Sequence, residues 1–74
     1  MNTIDLHGVR HDEVYWLLIK KIESLWNTDT ELHIITGHSE KMKKIVIDIL
    51  DEYKLDYKIG DFFGINVGFM KTLV

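Results

Sequence analysis

Apolar positions recur along this chain with two alternating periods, two residues and then three to four. Ile4 and Leu6 alternate with Thr3, Asp5 and His7, which predicts a first strand over about Thr3–His7. Gly8 stops it, and a helix is predicted over about Asp12–Asn27, with Asp12 and Glu13 in the first turn, where the helix dipole favours acids. On a 3.6-residue wheel Val14, Tyr15, Leu18, Ile19, Ile22, Leu25 and Trp26 fill one arc, and Lys20, Glu23 and Ser24 lie opposite. Trp16 falls outside the arc and Leu17 on its flank. After the polar turn "NTDTE", the stretch "ELHIITG" alternates Leu32, Ile34 and Thr36 with Glu31, His33 and Ile35, a second strand. A second helix is predicted over about Glu40–Lys54, burying Met42, Ile45, Val46, Ile49, Leu50 and Tyr53, with Lys41, Lys44, Asp48 and Asp51 turned away. Leu55–Asp61 reads as a third strand, "FFGINVG" as a glycine-punctuated loop, and Phe69–Val74 as the last strand.

Strands joined through helices predict parallel pairing, and the short final connection predicts an antiparallel pair. Each helix carries a single apolar stripe. The expected architecture is therefore α/β: a βαβαββ two-layer sandwich, a four-stranded mixed sheet with both helices on one face and the other face open.

Composition narrows the class. The 74 residues suit one domain spanning 1–74, without linker, repeat or proline. Cysteine is absent, which removes disulfides and thiolate metal sites. No apolar run reaches the length of a membrane span and no secretory signal is recognised, so a cytoplasmic location and no membrane partner are expected. The net charge of −3 excludes the broad positive field of a typical nucleic-acid binder, so an anionic ligand needs a local patch. Arg10, Lys20 and Lys21 form one basic set, and Lys41, Lys43 and Lys44 another.

Two segments carry candidate chemistry. If Ile4 and Leu6 face the helices, Asp5 and His7 share the open face with His33 and Ile35, about 6.5–7 Å apart at their α-carbons. They sit near the C-terminal end of a parallel strand, where α/β sheets place ligands. A carboxylate beside an imidazole can orient the ring and favour its protonated form. The alternative is a side-chain hydrogen bond that caps the strand end. The second segment is "TGHSEKMKK": a strand end, a glycine turn and a helix start with Ser39 as N-cap. Backbone N–H groups there can hold an anion, and Lys41 and Lys43, which the dipole disfavours so early in a helix, would help. A plain structural turn is the competing reading. Metal binding is not expected: His7 and His11 straddle a strand end and a loop, and no third ligand has suitable spacing. No cofactor is evident; Mg²⁺ stays open as one, although ligand spacing does not indicate it.

"IDLHG" followed by "VRHDEV" resembles the "LDLHG–LRxxEA" opening of the small MutS-related (Smr) domain family. "IITG" before a lysine-bearing amphipathic helix resembles that family's "TGxG" loop and second helix, and "GINVGFMKTLV" its glycine-rich turn and last strand. The likeness runs in order along nearly the whole chain. It implies a βαβαββ sandwich similar to the C-terminal domain of translation initiation factor 3, and a nucleic-acid-binding domain, often an endonuclease on DNA or RNA. Carried over by position, the first motif gives Asp5, Leu6, His7 and Gly8, with Asp5 and His7 as the catalytic candidates. The second gives Thr36 and Gly37. Ser39 stands where the family has its second glycine, the loop before the helix is shorter, and Lys43 lies near the position of a family arginine.

Three functions follow as expectations. In an endonuclease, His7 moves a proton at the scissile phosphate, Asp5 orients it, and Gly8, Arg10, Thr36, Gly37, His38, Ser39, Lys41 and Lys43 form the nucleic-acid-binding surround. Without a metal, RNA is the favoured substrate, because its 2′-hydroxyl is a nucleophile already in place. A module that binds nucleic acid without cleaving it would use the same motifs. A protein-interaction domain, including a homodimer, would instead use Trp16 and Leu17 or a free sheet edge.

Overall fold

The computed structural model describes residues 2–60 and 68–74. The elements are β1 (Asn2–Asp5), α1 (His11–Ser24), β2 (Glu31–Ile35), α2 (Glu40–Glu52), β3 (Tyr57–Ile59) and β4 (Phe69–Leu73). The "FFGINVG" loop lies outside the described residues except for Gly68. The architecture is α/β, a four-stranded mixed sheet with two helices.

The elements are shorter than their apolar patterns, the expected end of the third strand at Asp61 lying outside the described residues, and β1, α1 and α2 each stop for a local reason. β1 ends at Asp5 because the Asp5 carboxylate accepts the His7 backbone N–H at 2.9 Å and turns the chain, after a last ladder bond from Leu6 N to Ile35 O. Helix α1 stops at Ser24: Leu25 and Trp26 donate to carbonyls only three residues back, and Asn27 turns left-handed at φ 63°. Helix α2 opens where expected, with Ser39 Oγ accepting from Met42 N at 3.1 Å. It closes with Lys54 left-handed at φ 57°, Lys54 N bonded to Asp51 O and Leu55 N reaching back to Leu50 O, the Schellman pattern with lysine in glycine's usual place.

The strand order is β1-β2-β4-β3. β1 and β2 pair in parallel, with Ile4 opposite Ile34, and β4 runs antiparallel between β2 and β3. The strand–helix–strand unit that ends in β3 thus keeps its direction without pairing to β2, because β4 takes the position between them. Leu32, Ile34 and Met70 from the sheet form one core with Val14, Leu18, Ile22, Val46 and Leu50 from the helices, which pack on each other. Two residues of the predicted arc depart from it. Tyr15 stays 41% exposed with its ring edge-on to Trp16, and Trp26, beyond the helix end, is 51% exposed and edge-on to Tyr53. Trp16 and Leu17 are exposed, as their place outside the stripe implies.

The alternation that buries Leu32, Ile34, Met70 and Thr72 leaves Thr3, Asp5, Glu31, His33, Ile35, Phe69 and Lys71 on the opposite side of the sheet. Among the described residues no helix packs on that side, which is the open face. No helix of the described residues is long and apolar enough to cross a membrane.

Candidate functional site

The C-terminal ends of β1 and β2 lie side by side because the two strands are parallel and in register, Asp5 opposite Ile35. Each is followed by a glycine with positive φ, Gly8 at 79° and Gly37 at 70°. At Gly37 the reason is steric as well: a Cβ there would lie 2.8 Å from His7 Cδ2, closer than a side chain tolerates. The His7 imidazole therefore packs directly on the Gly37 backbone, and the two motifs form one rim. Gly8 has open space around it.

The second loop is tied down from beneath. Thr36 is buried; its N–H and that of Gly37 donate to Gly68 O at 2.8 and 2.9 Å, and its hydroxyl lies 3.1 Å from the same carbonyl and 2.9 Å from Gly37 O. Thr36 is thus a structural clamp at the foot of the rim. His38 and Ser39 are exposed above it, and Ser39 uses its hydroxyl as the helix cap.

A concavity of about 440 Å³ on the open face is lined by Thr3, Asp5, His7, His33, Ile35, Gly37, His38, Gly68 and Phe69. It gathers three imidazoles, the side chain whose proton exchange falls nearest neutrality. Asp5 Oδ1 serves the His7 main chain, and among the described residues no hydrogen bond joins the carboxylate to the His7 ring. Of the two arrangements open to this pair, the strand-end cap is the one present. His33 Nε2 lies 3.0 Å from Glu31 Oε1, and its ring stacks on Phe69 with centroids 6.1 Å apart and planes 15° from parallel.

The basic residues fall elsewhere. Arg10 is exposed, ion-paired to Asp12 at 3.1 Å, and borders a separate hollow with Val9 and His11. Lys41 is exposed near the start of α2. Lys43 departs from its expected role as a reachable base: its side chain is only 10% exposed and Nζ lies 3.5 Å from Glu40 Oε1. Lys43 shares the helix face of Val46 and Leu50, so its aliphatic stem lies along the apolar stripe and only its head reaches out. Among the described residues no group of three His, Asp or Glu side chains is placed to hold a metal ion.

His33 and Phe69 are lining residues that the motifs did not point to. Alternation alone puts His33 on the open face; Phe69 joins it only through the β2–β4 register, which no local pattern reveals. No protein-family model, curated protein or solved structure matches this chain.

Proposed function

We propose that this chain is an Smr-like nucleic-acid-binding domain that cleaves a phosphodiester at the rim where His7 packs on Gly37. The observation that carries the reading is that contact: two residues 30 positions apart in sequence, each in a segment resembling a family motif, meet at one edge of an open sheet face. The βαβαββ order, with both helices sharing one core against the sheet, supports the likeness to the Smr family and to the C-terminal domain of translation initiation factor 3.

In this reading a phosphate sits against the Gly37–Ser39 turn, where the first amides of α2 have no partner within the helix and Ser39 Oγ takes only that of Met42. His7 acts as general base on the attacking hydroxyl. For RNA that is the 2′-hydroxyl, whose proton passes to His7 as its oxygen attacks the adjacent phosphorus; the 5′-oxygen leaves and takes a proton from solvent, giving a 2′,3′-cyclic phosphate. Asp5 acts at one remove, holding the main chain that presents His7. Binding without cleavage is the second reading, and Asp5 favours it, since its hydrogen bond goes to the main chain rather than to the imidazole.

Incubation with labelled RNA and DNA strands, with and without chelator, tests both. Cleavage of RNA that survives chelation and is lost in His7→Ala, with binding within about threefold of wild type, is the expected outcome. Binding without any product would leave only the second reading, and a protein that neither binds nor cleaves would end both.

A further inference from the structure

Across the open face the strand register sets four side chains in one row: Thr3 on β1, His33 on β2, Lys71 on β4 and Lys58 on β3. Lys58 and Lys71 stand directly opposite each other on antiparallel strands, and like charges so placed destabilise a sheet. Among the described residues neither lysine has an ion pair or a side-chain hydrogen bond. Both line a second concavity of about 380 Å³, together with Glu31, Asp56 and Leu73. Of the two acids there, Glu31 is engaged by His33. The next row toward the rim holds Asp5, Ile35 and Phe69.

We infer that this face holds a single-stranded nucleic acid, with Lys58 and Lys71 on successive phosphates and a base stacked at the Phe69–His33 rings. A repulsive cross-strand pair of lysines is matched by a polyanion that neutralises both. Three inter-strand steps separate β1 from β3, about 14 Å across the sheet, so one strand can run from the His7 rim to Lys58. A duplex cannot present an unstacked base to Phe69, whereas a single strand can, and stacking on an aromatic side chain tolerates any base. The subsite depends on the nucleic-acid reading above, but it makes separate demands on residues that take no part in the chemistry at His7.

The experiment titrates wild type, Lys58→Ala/Lys71→Ala and Phe69→Leu with labelled oligothymidylate, oligouridylate and a blunt duplex over a range of salt. The wild type should prefer both single strands to the duplex. The double variant should flatten the slope of log K against log salt by about 1.4, two phosphates at about 0.7 each. Phe69→Leu should weaken single-strand binding about tenfold or more and leave an abasic oligonucleotide unaffected. Lys58→Arg/Lys71→Arg should keep the wild-type slope, and thermal unfolding of the alanine pair at or above the wild-type midpoint certifies its fold. An unchanged slope in that folded variant, or a duplex bound as tightly as the single strands, would overturn this subsite while the rim reading stood. Absence of all nucleic-acid binding by the wild type would remove both.

Discussion

At Gly37 two separate demands fall on one carbon: a left-handed backbone and room for the His7 ring. Gly8 shares the first demand and not the second, so the pair separates the two costs. Gly8→Ala should destabilise by about 1 kcal/mol, the cost of placing an L side chain at positive φ. Gly37→Ala should cost more, by about 1 kcal/mol further, because the imidazole must move or strain. That excess should vanish in a His7→Ala background. Denaturant unfolding of the four variants closes the cycle, and an additive result would mean that His7 does not rest on Gly37. Both glycines were visible in the sequence as strand ends. Their contact was not, because it depends on two loops brought together by a parallel register.

Between elements, the join of α1 and α2 includes Tyr53, which caps the end of α2 against Trp26. Partial burial raises the pKa of its phenol above the ordinary 10.0, and the negative charge of Glu23 adds to the effect. The neutral phenol is therefore the form the fold favours. Its contribution is complete below pH 10.0 and is lost as pH rises through the higher folded value. Urea midpoints measured across that alkaline range should fall less steeply for Tyr53→Phe than for wild type, and parallel curves would refute the assignment. The element order and the helix faces were legible because period and capping are local: Ser39 announced α2, and Val14, Leu18 and Ile22 announced the buried side of α1. The ends were less so. Asp5, Asn27 and Lys54 stop their elements through conformations that their residue types permit without requiring.

Over the whole molecule, a net charge of −3 means that the proposed nucleic-acid binding must rest on a few local cations. The packed stem of Lys43 and the pairing of its head to Glu40 argue against its being one of them. Lys43→Met should keep stability within about 0.5 kcal/mol, because the stem is replaced by one of similar shape, and should leave the salt dependence of binding unchanged. Lys43→Ala should lose about 1 kcal/mol or more of stability through packing alone. A flattened salt slope in folded Lys43→Met would return that lysine to the phosphate contacts. The open-face cations, Lys58 and Lys71, escaped notice in the sequence because they sit 13 positions apart and meet only through the β3–β4 register. The position of β4 sets the order in which all of this can come into being. As the chain leaves the ribosome, β1, β2 and β3 emerge before β4, the strand that must lie between two of them. Until it arrives β2 and β3 have no shared partner, and the Gly68 carbonyl that clamps Thr36 and Gly37 is missing. Such late, long-range closure slows folding, and it also ties the site to the finished sheet. A nascent or truncated chain that stops before Gly68 has neither the clamp nor the closed sheet, so the rim where His7 meets Gly37 is assembled last.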